Sequence, residues 1–220
     1  MIQIYRDPHY IEKFAIYGER HSGTNFLEET IKKTFELDIT HFFGFKHWMG
    51  FANPNKITYW NRGILFLGIV RHPYEWLNGF FNMPHHVPRH NRNSFERFLL
   101  NEWYSENLQR QEIMQDRNYT TQPNTVRYKN IFELRKLKTI YLSEIMPMIA
   151  KNYVLVTYEF FTKYHDKFVQ MISDRFSLLR KNDPPKPFFK PNIILNENIK
   201  KIIDSNIDWS VESVFGYAPR

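Results

Sequence analysis

Cysteine is absent from the chain, which excludes disulfides, thiol nucleophiles and thiolate metal sites. Long apolar runs are absent too. The longest, "GILFLGIV", is strand-sized, far short of the ~20 apolar residues of a spanning helix. "MIQIYRDPHYIEKF" has no apolar run of signal-peptide length. A soluble, cytoplasmic protein without a membrane span is expected. Internal repeats, low-complexity tracts and long Lys/Arg runs are likewise missing. With no zinc-finger or basic-zipper pattern, duplex nucleic acid is a disfavoured partner. Asn118-Tyr119-Thr120 fits a glycosylation sequon, a triplet that also arises by chance.

What is present points to a well-packed, basic domain. Hydrophobic residues make up 42% and aromatic residues 17% of the chain, enough for a sizeable core. The formal charge is +7. That surplus favours an anionic partner such as a nucleotide, an acidic glycan, an anionic lipid or nucleic acid, without choosing among them.

Three short apolar runs stand out: "FAIY" (Phe14–Tyr17), "ILFLGIV" (Ile64–Val70) and "YVLVTYE" (Tyr153–Glu159). Their length and lack of strict alternation fit strands buried on both faces, as in a parallel sheet. Each precedes a helical pattern. Phe26, Leu27, Ile31 and Phe35 form one apolar face, with Glu28/Lys32 and Glu29/Lys33 as i,i+4 pairs. Pro73 suits the first position of a second helix. Phe168, Val169, Ile172, Phe176 and Leu179 predict a third. "SFERFLLNEWY", with Ser94 as N-cap, and "NIFELRKLKTIYLSEI" also read as helices. The segment from Asn196 closes with one or two short ones, and "NDPPKPFFKPN" is a proline-rich loop. Strands alternating with helices predict an α/β fold, a mainly parallel sheet flanked by helices. No linker divides the chain, so a single domain over 1–220 is expected.

The first strand runs into "GERHSGTNF", a turn with four residues between Gly18 and Gly23. A strand, a glycine-flanked turn and a helix aim backbone N–H groups at an anion. Ser22 and Thr24 add hydroxyls, Arg20 and His21 positive charge. Thr24-Asn25 stands where a Walker A site has Lys followed by Ser/Thr, and no clear Walker B aspartate follows a strand. An ordinary βα turn is the plain alternative. A phosphate loop without magnesium hardware suits sulfuryl transfer, because that group carries less charge than a phosphoryl group. "GIVRHPYEWLNGFF" places Arg71 at the carboxyl end of the second strand, where ligands bind in open α/β sheets.

Here the sequence resembles the sulfotransferases that use 3′-phosphoadenosine 5′-phosphosulfate (PAPS). "GERHSGTNFL" is similar to their 5′-phosphosulfate loop and "VRHPYEWLNGFF" to their 3′-phosphate motif. "YVLVTYEFF" is similar to their third core strand, and "NIDWSVESVFGYAP" to the ending of many bacterial and viral members. The resemblance covers the three strand–turn units and the C-terminal segment in order, and only loosely 84–150. It implies a P-loop-type fold, PAPS as donor, PAP as product and no metal. By motif match, Arg20, His21, Ser22, Gly23, Thr24 and Asn25 cradle the 5′-phosphosulfate, and Arg71 the 3′-phosphate, its planar fork suited to phosphate oxygens. Two positions depart from the pattern. His21 stands at the family's loop lysine, with Arg20 beside it as the other candidate charge. Gly79 stands at a frequent serine, where Asn78 or a backbone N–H could substitute.

"FGFKHWMGF" offers His47 as the base that takes an acceptor proton, with Lys46 as a charge aid, after a short strand expected at Ile39–Phe43. A histidine packed against Trp48 is the structural alternative, and Glu75 is a second candidate base. His85, His86, Arg89, His90 and Arg92 form a basic loop without a nearby carboxylate or cysteine, so no metal site is expected there. Arg127 and Lys129 could reach donor or acceptor, and Lys186 and Lys190 could close over a nucleotide. Arg135 reads as part of a solvated helix face. Tyr158 and Glu159 are read as the mainly structural end of the third strand. The expected activity is metal-independent sulfotransfer from PAPS to a hydroxyl of a carbohydrate or other small acceptor. The alternatives are a nucleotide kinase or NTPase, and a non-catalytic nucleotide binder. Acceptor identity and oligomeric state stay open.

Overall fold

The computed structural model describes residues 1–6, 10–48, 62–118, 120, 126–187 and 195–220. The strands are β1 (Ile2–Tyr5), β2 (Lys13–Tyr17), β3 (Asp38–Ile39), β4 (Ile64–Val70) and β5 (Asn152–Thr157). The α-helices, numbered among the described residues, are α1 (Thr24–Thr34), α2 (Pro73–Asn82), α3 (Phe95–Leu100), α4 (Ile131–Ile140), α5 (Met146–Ile149), α6 (Tyr158–Lys163), α7 (His165–Phe176), α8 (Glu197–Asn206) and α9 (Trp209–Glu212). The chain forms two compact units, Met1–Arg71 with Leu142–Pro191, and His72–Tyr141 with Asn192–Arg220.

The first unit holds a five-stranded sheet in the order β1-β5-β4-β2-β3. β2 pairs in parallel with β3 and β4, and β4 with β5, while β1 runs antiparallel along β5. The sheet is therefore mixed but mostly parallel. Parallel strands read as continuous apolar runs because both faces are covered, and in β4 every residue from Leu65 to Val70 is buried. Phe14, Ile16, Leu65, Leu67, Ile69, Val154 and Val156 share a core with Leu27 and Ile31 of α1 and Phe168, Val169 and Ile172 of α7. The ion pairs Lys32–Glu28 (2.8 Å) and Lys33–Glu29 (2.6 Å) form on α1 as its spacing predicts.

In the first unit three sequence expectations are corrected at element ends, and one strand goes unforeseen. β1 is a strand that the apolar-run criterion misses, since its residues are only half-buried and its alternation is brief. β5 ends at Thr157, whose hydroxyl accepts from the Phe160 N–H, so Tyr158 and Glu159 open α6 instead of ending a strand. β3 stops at Ile39, short of the run to Phe43. Leu179 lies beyond α7 and is 89% exposed, because Ser177 adopts a left-handed conformation (φ 55°) that terminates the helix.

The second unit is helical. Pro73 starts α2 and Ser94 caps α3 by accepting from the Arg97 N–H, both as expected. "SFERFLLNEWY" is helical only to Leu100; Trp103 instead pairs with Tyr128 in an isolated bridge. Beyond α4, "NIFELRKLKTIYLSEI" continues as a π-helical turn, Tyr141–Ile145, and α5 follows it, the residues from Leu142 on belonging to the first unit. The unit's core is largely aromatic, with Trp76, Phe80, Phe98, Trp103 and Tyr128 buried. Arg135 belongs to it. The expected solvated arginine is buried, bonded to both Glu212 oxygens (2.7 and 2.8 Å), and lies 5.0 Å from the Trp76 ring centroid.

Candidate functional site

Strand order places the predicted loop. β2 connects through α1 to β3 on one side, while β4 lies on the other side of β2. The carboxyl ends of β2 and β4 thus border a topological switch point, where open α/β sheets form their ligand crevices. The loop 18–23 leaves β2 there, and Arg71 leaves β4 there. Arg71 and the loop thus lie at neighbouring strand ends, and Arg71 donates to the His21 carbonyl.

The loop has little room for side chains. A Cβ on Gly18 would lie 2.7 Å from the Ile69 carbonyl oxygen, and one on Gly23 would lie 2.5 Å from the Tyr158 ring. Gly23 also has φ 97°, a conformation that L side chains avoid. The Ser22 N–H donates to the Glu19 carbonyl (3.1 Å) and the Leu27 N–H to the Gly23 carbonyl (3.0 Å). The opening N–H groups of α1 have no acceptor within the helix. No side chain caps it at Gly23. Ser22 is 1% exposed, and its Oγ has no hydrogen-bond partner among the described residues. Buried hydroxyls are normally bonded, so an orphan here fits a site shaped for a ligand oxygen.

Positive charge surrounds the loop. Arg20 is buried, pairs with Glu19 (3.1 Å) and lies 5.0 Å from the Trp48 ring centroid. Arg71 donates from Nη1 to the His21 carbonyl (3.2 Å), with its guanidinium 4.7 Å from the Tyr158 ring centroid. Lys46 donates to Asn25 Oδ1 (2.6 Å) and to Glu28 Oε2 (3.1 Å), tying the segment after β3 to the first turns of α1. Burial raises the Glu28 pKa, but hydrogen bonds from Lys32 and Lys46 outweigh it and hold the carboxyl below its ordinary value.

His47 lies beside the loop and is 7% exposed. Its Nδ1 is 2.8 Å from the Gly18 carbonyl oxygen. A carbonyl only accepts, so Nδ1 carries the proton and Nε2 is the basic nitrogen of the neutral ring. Phe45 and Trp48 contact the ring edge-on. The packing foreseen in the structural alternative and a tautomer suited to base chemistry therefore coexist.

The remaining candidates have surroundings of their own. Asn78 and Gly79 sit within α2 in the second unit, where Asn78 accepts from the Asn82 side chain (2.8 and 3.0 Å) and the Gly79 carbonyl from the Met83 N–H (3.1 Å). Glu75 contacts His72 (3.2 Å) and Arg220 (2.6 Å). Burial raises its pKa, yet those partners prevail and lower it to about 2, which removes it as a base near neutral pH. In the basic loop, Arg92 bonds the Val87 carbonyl (2.6 and 2.8 Å) and His86 Nδ1 lies 2.7 Å from the Glu106 carbonyl oxygen, so both fold the loop itself. Arg127 is held by Glu102 and Glu112 and stacks on Tyr104, 3.8 Å from its centroid. Lys129 lines an open cavity of about 620 Å³ with Lys136, Asp208 and Trp209. Lys186 is exposed, and Lys190 lies outside the described residues.

Sequence reasoning missed the contacts of Glu19, Glu28 and Tyr158 around the loop. Glu28 was visible only as the i,i+4 partner of Lys32. Tyr158, read as mainly structural, touches both Gly23 and Arg71. Comparison with protein-family models, curated proteins and solved structures finds no match to this chain. Among the described residues, no helix is long and apolar enough to cross a membrane.

Proposed function

We propose that the chain is a PAPS-dependent sulfotransferase acting on a hydroxyl of a carbohydrate or other small acceptor. The buried, unpartnered Ser22 Oγ, in a loop with no space for a Cβ at Gly18 or Gly23, carries this reading. Thr24-Asn25 in place of the Walker lysine and hydroxyl argues against Mg-ATP as the loop's ligand.

When bound, the donor supplies the sulfuryl group. Arg20, His21, Ser22, Gly23, Thr24 and Asn25 would hold its 5′ end, and Arg71 its 3′-phosphate. His47, fixed by the Gly18 carbonyl, takes the acceptor proton on Nε2. Lys46 keeps Asn25 oriented at the start of α1. Arg20 and His21 provide positive charge for the departing group. Positioning and preorganised electrostatics supply the rate.

A thermal-shift comparison of PAP with Mg-ATP tests the donor. At about a hundred times Kd, PAP should stabilise the fold by ~2.7 kcal/mol, roughly 5–10 °C for a chain this size. A shift with Mg-ATP alone would overturn the reading in favour of a kinase or NTPase. Transfer of labelled sulfate from PAPS to a panel of hydroxyl acceptors then tests catalysis. His47→Gln should lower that rate by about 10²–10⁴ while PAP still binds. The pairing of Arg20 with Glu19 and of Lys46 with Glu28 offsets part of the local charge and favours, as second reading, a non-catalytic binder. That reading predicts PAP binding without transfer to any acceptor.

A further inference from the structure

Two residues of the loop occupy the left-handed region, His21 (φ 64°) and Gly23 (φ 97°), and Ser22 lies between them. For a residue with a Cβ this conformation costs about 1–2 kcal/mol and persists where the surroundings enforce it. Each of the two is touched by one half of a stacked pair. Arg71 donates to the His21 carbonyl (3.2 Å), and the Tyr158 ring backs Gly23, leaving no room for a Cβ (2.5 Å). The guanidinium lies 4.7 Å from the centroid of that same ring. The His21 carbonyl and the Ser22 N–H share one rigid peptide plane. Pinning the carbonyl therefore also orients the N–H, which closes the turn onto the Glu19 carbonyl (3.1 Å).

We propose that the Arg71–Tyr158 stack is a brace that sets the backbone shape of the loop, making Arg71 a positioning residue for a phosphate bound there, whether or not the ligand carries a second phosphate for Arg71 to grip. This rests on the loop being a phosphate site. A pure 3′-phosphate ligand role for Arg71 makes a different prediction: its loss would leave ligands with only a 5′-diphosphate untouched.

The test measures binding of ADP, which lacks a 3′-phosphate, and of PAP by calorimetry, with amide hydrogen exchange of ligand-free protein. Arg71→Ala should weaken ADP at least tenfold as well as PAP, and speed Ser22 amide exchange at least tenfold. Tyr158→Leu provides a second route should Arg71→Ala fail to fold. It should weaken ADP at least fivefold, and Tyr158→Phe, which keeps the ring, should recover it. Unchanged ADP affinity and Ser22 exchange in Arg71→Ala, with PAP alone weakened, would overturn the brace and leave the phosphate loop standing. Wild-type protein binding neither ADP nor PAP would overturn both.

Discussion

Arg71 and Arg135 are both buried, and both lie over an aromatic ring, Tyr158 at 4.7 Å and Trp76 at 5.0 Å. Their donors go to different ends. Arg135 meets both oxygens of buried Glu212, a fork-to-fork pair that joins α4 to α9 within the helical unit. Arg71 is turned towards the backbone of a loop in the sheet unit. One arginine ties two helices together, the other holds a loop carbonyl. The two environments have few features in common beyond the stacked ring, so burial of a cation by itself is not a sign of function.

Removing Arg135 should have the largest effect on stability. Arg135→Ala leaves the Glu212 carboxylate buried without its partner, and breaking such a pair typically costs about 3–5 kcal/mol. Urea denaturation should show that loss. A loss below about 1 kcal/mol would erase the contrast with Arg71. Gly23→Ala comes next, since the added methyl meets the Tyr158 ring at a positive φ. Overpacking of this kind costs about 1–3 kcal/mol, and the PAP-induced thermal shift should vanish with it. Retention of the full shift would show that the loop tolerates a different shape.

A smaller effect concerns pH. His165 is buried between Phe26 and Phe161, with Nε2 3.2 Å from Thr30 Oγ1. Burial lowers its pKa, and nearby Asp166 only partly offsets this. The unfolded chain therefore takes up the proton first, and stability declines as pH falls below about 6.5. Stability measured from pH 8 to 5 should show that slope, and His165→Gln should flatten it. An unchanged slope would assign the effect to other groups. The smallest expected effect is at Lys33, whose exposed pair with Glu29 contributes on the order of 0.3–0.5 kcal/mol. Lys33→Ala should stay within that range in the same denaturation experiment.

The sheet's inner strands and the two motif loops were legible because parallel strands carry unbroken apolar runs and because glycine spacing marks a tight turn. Pro73 and Ser94 announced their helix starts through local chemistry. Arg135 was misread because its partner Glu212 lies far along the chain and no local pattern links them. Tyr158 was misplaced by one element because the Thr157 cap, which ends β5, looks in sequence like one more β-branched strand residue. Around the loop, the candidate residue types could be picked out in the sequence but their pairings could not. The bond of Lys46 to Glu28 and that of His47 to the Gly18 carbonyl exist only once the sheet brings the segments together.

The antiparallel edge strand has a consequence for how the protein is made. Ile2 pairs with Val156 and Tyr5 with Tyr153. At about 5–20 residues per second, the ribosome takes roughly 7–30 s to make the partner after it has made β1. The first segment of the helical unit is synthesised within that interval. The sheet therefore forms around a long closed loop, the high-contact-order arrangement that slows folding, and β1 remains an unpaired edge on the nascent chain until β5 arrives.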